Sequence, residues 1–218
     1  MRTDANESEI DTVFGGDWSG RVGSRTAERG DANGFPSVAR TSAVIVIVCG
    51  LPASGKTTLV RGLRRRLSDR GHAVESFHSD DYDRRTYERM YEEVAATLGV
   101  ASANRTQSGD VAERYERAGA DATVDVLLDG TFFERRWRNR FYRLGTTYEV
   151  WVRASLSTCL ERNRNRADSI PEEGLRAIHA RFEPPRADLE IDTEALDAAV
   201  ALDGLESAVL GWMRRESK

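Results

Sequence analysis

Ala43-Val44-Ile45-Val46-Ile47-Val48-Cys49-Gly50-Leu51-Pro52-Ala53-Ser54-Gly55-Lys56-Thr57 changes character halfway along. Its first seven residues form a continuous, mostly β-branched run, the pattern of a strand buried on both faces of a parallel sheet. Its last eight match G-x-x-x-x-G-K-[ST]. Glycines let such a loop curl until successive backbone N–H groups point inward at phosphate oxygens. A helix opening near Lys56 adds unpaired N–H groups and a positive dipole end. Lys56 is placed to reach β- and γ-phosphates as a point charge, and the Thr57 hydroxyl to ligate Mg²⁺. Residues Gly50, Leu51, Pro52, Ala53, Ser54, Gly55, Lys56, Thr57 and Thr58 are therefore the expected nucleotide cradle. The strand entering the loop and the helix leaving it, with Val60, Leu63 and Leu67 on one face and Arg64, Arg65 and Arg66 expected to face away, supply the context this motif requires.

Outward from this stretch, strands alternate with helices. Ala73 to Phe77 reads as a second strand that ends in His78-Ser79-Asp80-Asp81, and Val124 to Leu128 as a third that ends in Asp129-Gly130-Thr131. Tyr87, Tyr91, Val94 and Leu98 recur at helical spacing between them, read as core packing. Helices are expected over 110–119, 134–144, 157–165, 171–182 and 205–215, with further strands over 148–152 and 189–191. The alternation predicts an α/β fold with a mainly parallel sheet. Residues 1–40, with six glycines, scattered charge and no apolar periodicity, read as a disordered tail, leaving 41–218 as the folded domain.

Composition narrows the class. The 218 residues carry 32 basic and 36 acidic side chains, a near balance that argues against a generic polyanion binder. A hydrophobic fraction of 39% is low for a wholly folded chain, in keeping with a tail. No apolar run approaches the roughly 20 residues a bilayer span needs, and Met1 to Ile10 has no signal-peptide core. Cys49 and Cys159 make neither a disulfide framework nor a zinc site. A cytoplasmic protein is expected. Only two lysines occur, Lys56 and Lys218. Base composition of the gene accounts for an excess of arginine; it does not account for the one internal lysine standing in the phosphate loop.

The remaining chemistry is expected where strands end, because ligands of open α/β sheets sit at the carboxyl ends of the strands. One of Asp80, Asp81 and Asp129 can hold Mg²⁺, directly or through water, and another can accept a proton from an attacking hydroxyl. One of the Asp80-Asp81 pair can equally cap the segment that follows. Leu160-Glu161-Arg162-Asn163-Arg164-Asn165-Arg166 reads as a lid whose arginines close over phosphoryl oxygens, or as a solvated basic face, or as a nucleic-acid footprint. Tyr82, Phe132 and Phe133 can stack on an acceptor base or pack in the core.

With those residues in place, residues 43–193 resemble the small P-loop kinases that include adenylylsulfate kinase, polynucleotide 5′-kinase and the seryl-tRNA(Sec) kinase, with an AAA-type ATP-binding domain. Asp81-Tyr82-Asp83-Arg84 is similar to their D-x-x-R, Asp129-Gly130-Thr131 to the D-x-T after the third strand, and Arg162-Asn163 with Arg166 to the lid pattern R-N-x-x-R. Phe182-Glu183-Pro184-Pro185 and Asp192-Thr193 extend the similarity, while Ser79-Asp80-Asp81 stands where adenylylsulfate kinases read D-G-D. The resemblance implies a three-layer sandwich with five strands in the order 2-3-1-4-5. It also implies ATP and Mg²⁺ as ligands, and transfer of the γ-phosphoryl group to the hydroxyl of a small-molecule or nucleotide-like acceptor, an RNA acceptor being the less favoured. In these roles Lys56, Asp81 or Asp80, Arg84, Arg162 and Arg166 serve catalysis, and Thr57, Asp81 and Asp129 the metal. The alternatives are a nucleotide-dependent regulatory ATPase or assembly factor on the same fold, or a toxin-like sugar-nucleotide kinase.

Overall fold

Strand β1 (Val44–Cys49) is buried at all six positions, as a strand packed on both faces must be. In the computed structural model, which describes residues 43–100 and 124–217, it is followed in order by α1 (Lys56–Asp69), β2 (Val74–His78), a 3₁₀ turn (Ser79–Asp81), α2 (Thr86–Thr97), β3 (Asp125–Asp129), α3 (Arg135–Phe141), β4 (Thr146–Arg153), α4 (Leu156–Arg164), α5 (Glu172–Arg181), β5 (Leu189–Asp192) and α6 (Ala198–Glu216). The tail expected over 1–40 and the helix expected over 110–119 lie outside the described residues.

The five strands pair in the order β2-β3-β1-β4-β5, and every pairing is parallel. This is the order the resemblance implied. Alternate side chains of β1 feed two cores. Val44, Val46 and Val48 pack with Leu59, Leu63 and Leu67 of α1 and Leu205, Val209 and Trp212 of α6. Ile45, Ile47 and Cys49 pack with Met90 and Val94 of α2 and Phe141 of α3. A third cluster, Leu51 with Cys159 and Leu160 of α4 and Leu175 of α5, seats the α4–α5 pair beside the phosphate loop. The result is an α/β sandwich of three layers.

Local signals account for the element ends. Helix α1 stops in a two-bond cap: the N–H of Gly71, at φ 85°, reaches the Ser68 carbonyl and that of His72 reaches Leu67. Ser155 caps α4 by accepting the Thr158 N–H.

Two expectations are corrected. The last helix begins at Ala198, seven residues before the expected Leu205, because the Asp197 carboxylate accepts the N–H groups of Ala199 and Val200. That first turn carries an exposed Val200, which hid its periodicity. Arg66 does not face away with Arg64 and Arg65: it bridges α1 to α6 through Asp203 at 2.6 Å and Glu206 at 2.9 Å.

Candidate active site

The phosphate loop is a backbone cradle made by three residues at positive φ: Gly50 at 150°, Ala53 at 64° and Gly55 at 100°. Any side chain at Gly50 would drive its Cβ into the Val152 carbonyl oxygen of β4, so this glycine is there because two backbones meet. Gly55 offers no side-chain cap to α1, so the first-turn N–H groups of Lys56, Thr57 and Thr58 are left for a ligand. Those groups, together with the helix dipole, form a site for an anion. Ser54 is wholly buried, and its Oγ finds no hydrogen-bond partner among the described residues.

Lys56 lies within this cradle, nearly buried, donating one N–H to the Leu51 carbonyl at 2.8 Å. Burial pushes its ammonium below the ordinary lysine pKa, and the charges of Asp129 and Asp80 oppose that shift. Asp129, the last residue of β3, is 3% exposed. Burial alone would raise its carboxyl. The His78 hydrogen bond, the Lys56 charge and the Thr57 hydroxyl outweigh burial and hold it below the usual carboxylate range. Asp129 is paired with Val48 of β1, two residues ahead of Gly50, so its carboxylate stands beside the loop that carries Lys56 and Thr57. Among the described residues no group of three or more His, Cys, Asp or Glu gathers to hold a metal unaided. Mg²⁺ does not need one, since it takes one or two protein oxygens and completes its shell with phosphate and water.

The residues expected on the acceptor side and in the lid are mostly exposed. Asp80 and Asp81 occupy the 3₁₀ turn after β2, and both are exposed. The charge of Asp80 acts on Lys56 and on the half-buried Tyr87 hydroxyl, whereas that of Asp81 acts on Tyr82. Arg84 is exposed just ahead of α2. Arg162 is half-buried and leans on β5: its guanidinium donates to Thr193 Oγ1 at 2.8 Å and to the Thr193 carbonyl at 2.9 Å. Thr193 in turn donates to the Ser54 carbonyl at 3.1 Å, so Arg162 is tied to the phosphate loop through one side chain. Arg164 turns to Glu172 at 2.6 Å, and Arg166 is exposed just past the end of α4. Of Arg162, Arg164 and Arg166, only Arg162 is brought to the loop.

Phe132 is not available to an acceptor. It is fully buried against Tyr87, with ring centroids 4.6 Å apart, and against Phe141 at 5.8 Å. Its φ of 46° is unusual for a bulky residue and is held from both sides. Its N–H donates to the Tyr87 hydroxyl at 2.7 Å, and its carbonyl accepts from Arg138. Phe133 lies under the Arg181 guanidinium, 5.2 Å from ring centroid to charge, and Tyr82 donates to Glu93 at 2.7 Å.

Sequence reasoning missed His78 and Tyr87 as parts of the site. His78 had half a signal, a polar residue closing a strand; that this strand neighbours the one closed by Asp129 is decided by the sheet. Tyr87 had none, because its spacing matches core packing equally well.

A family model described as an AAA domain matches residues 45–185. The mouse L-seryl-tRNA(Sec) kinase is 23% identical over 194 residues, a match covering 65% of this chain and 54% of that protein. This chain therefore spans about half the length of that relative. A protein of Halalkalibacterium halodurans named "probable adenylyl-sulfate kinase" is 28% identical, with 75% of this chain and 81% of that one covered. The crystal structure of the protein named APE1195 superposes with a TM-score of 0.55 at 22% identity, over 78% of this chain and 97% of that one, and shares the fold. Phosphate loop, strand order and family match agree, and the chain belongs to the AAA-domain family of P-loop proteins whose curated relatives are kinases.

Proposed function

We propose that this chain is an ATP-dependent kinase that passes the γ-phosphoryl group to the hydroxyl of a small-molecule or nucleotide-like acceptor. The observation that carries the reading is the phosphate loop itself, with Lys56 buried in it on the Leu51 carbonyl, the first turn of α1 uncapped, and Asp129 paired with Val48 of β1 beside it. The uncapped N–H groups of Lys56, Thr57 and Thr58 at the start of α1 hold the phosphates. Lys56 neutralises charge on the transferred group and draws it toward the loop. Thr57 and Asp129 are the residues that would hold Mg²⁺, which when bound spreads the charge of the phosphate oxygens. Asp81 or Asp80, both on the turn that follows β2, takes the acceptor proton. Asp81 also stands as a candidate metal contact. Arg84 contacts the acceptor or its phosphate. Arg162 leaves Thr193, or reaches past it, to close over the nucleotide with Arg166.

Labelled ATP and Mg²⁺ with an acceptor panel test this: adenylylsulfate, nucleosides, sugars, sugar nucleotides, 5′-hydroxyl RNA and seryl-tRNA. The expected result is transfer to one acceptor class, lowered at least 100-fold by Asp80→Asn or Asp81→Asn. Tight ATP binding with no acceptor labelled, and ATP turnover indifferent to both substitutions, refutes the kinase reading in favour of a regulatory ATPase.

A further inference from the structure

His78 closes β2 opposite Asp129, which closes β3, so parallel register brings the two side chains together at the mouth of the site. His78 Nδ1 lies 2.9 Å from Asp129 Oδ2, and Nε2 lies 3.4 Å from the Ser76 hydroxyl. The histidine side chain keeps 17% of its exposure and the aspartate 5%. An ionised carboxylate can only accept, so the proton of this contact belongs to Nδ1, while Nε2 faces the Ser76 hydroxyl, which can donate to it or accept from it. The ring is thereby fixed at both ends. A carboxylate bonded through one oxygen no longer turns freely about its Cβ–Cγ bond. Oδ2 is committed to the imidazole, which leaves Oδ1 outside that bond, on a carboxylate that the Lys56 charge and the Thr57 hydroxyl both hold in its ionised form.

We propose that His78 is a positioning residue for the nucleotide's divalent cation, acting through Asp129. It rests on the reading of Asp129 as part of the metal shell. Outer partners of metal-holding carboxylates commonly set metal affinity by 10–100-fold, because they remove the entropy of orienting the ligand before the ion arrives. Nucleotide held by the loop N–H groups and Lys56 alone does not depend on that orientation. The metal-dependent part of binding does.

The experiment is calorimetric titration of ADP into the full chain, in EDTA and across a Mg²⁺ series, with no acceptor present. His78→Leu is expected to raise the Mg²⁺ concentration for half-maximal enhancement of ADP binding by about 10-fold or more, and to leave ADP affinity in EDTA within about twofold of the parent. His78→Asn, whose amide can stand where Nδ1 stood, is expected to recover most of the loss. Should the leucine variant not fold, His78→Gln, with its amide displaced toward the Nε2 position, is expected to show the same metal-specific defect. A purely structural tie between β2 and β3 would weaken binding equally with and without Mg²⁺, and that result overturns the proposal. So does an unchanged Mg²⁺ series. If the parent protein shows no preference for Mg²⁺, the metal assignment of Asp129 falls with it. The kinase reading is tested separately, by the acceptor panel.

Discussion

Lys56 shows how much a single residue can carry in this chain. It is the one internal lysine among 32 basic residues, and the structure places it nearly buried, with its ammonium on the Leu51 carbonyl. A guanidinium is broader and planar and cannot act as a compact point charge in that space. Lys56→Arg is therefore expected to lower ATP turnover by about 100-fold or more while leaving the circular dichroism spectrum unchanged. Near-normal turnover would show that the loop accepts either cation. The cysteines make the opposite case, of residues whose chemistry the fold switches off. Both are free and buried; burial pushes the Cys49 thiol up to about 12 and the Cys159 thiol to about 11. At pH 8 a free thiol is substantially thiolate, whereas these two are almost wholly protonated. The native protein is expected to titrate no thiol with a disulfide reagent at pH 8, and two after denaturation. Lys56 was legible because a motif demands it. The cysteines showed only their number, since burial is a property of the folded chain.

Helix α3 is the element least legible from its residues. Within the helix expected over 134–144, the stretch Arg135-Arg136-Trp137-Arg138-Asn139-Arg140 holds four arginines that look alike in sequence. Yet Arg138 has no exposure at all, and its guanidinium serves the carbonyls of Phe132, Glu183 and Pro184. Its Nε stands 3.5 Å from Glu149 of β4, whose carboxyl burial raises and Arg138 lowers. This one side chain fastens the loop after Asp129 to the Glu183-Pro184-Pro185 turn. Removing one partner of a buried pair leaves a charge without compensation, which costs about 3–5 kcal/mol. Arg138→Met is expected to lose that much stability in urea unfolding. Glu149→Leu in the same chain should return only part of the loss, because the stranded charge goes while the three carbonyls stay unsatisfied. Full recovery would mean that the carbonyl bonds contribute nothing. No periodicity distinguishes a buried arginine from its exposed neighbours; only the packing of α3 against β4 and the turn does.

At the scale of the molecule, the parallel order β2-β3-β1-β4-β5 sets the ends of β1, β2 and β3 side by side, so one edge of the sheet gathers the phosphate loop, Asp129 and the Asp80-Asp81 turn. Ligand at that edge touches several elements at once and should stabilise the whole described body. At 100 times its dissociation constant, Mg²⁺-ADP is expected to add about 2.7 kcal/mol and to raise Tm by roughly 5–10 °C, with a smaller rise when EDTA replaces the metal. A Tm indifferent to nucleotide would contradict the site. Among the described residues no helix is long and apolar enough to cross a membrane. The amino-acid sequence alone determined the phosphate loop, the alternation of strands and helices, and the candidate carboxylates. These are local patterns: each is written in residues close together along the chain and enforced by backbone geometry or by the period of an apolar face. The tertiary structure alone decided that His78 meets Asp129, that Arg162 rather than Arg164 or Arg166 reaches the loop through Thr193, and that Phe132 and Arg138 are interior. Those facts depend on which strands are neighbours and how helices sit upon them. Contacts between residues 31 to 139 positions apart come into being only when the sheet closes.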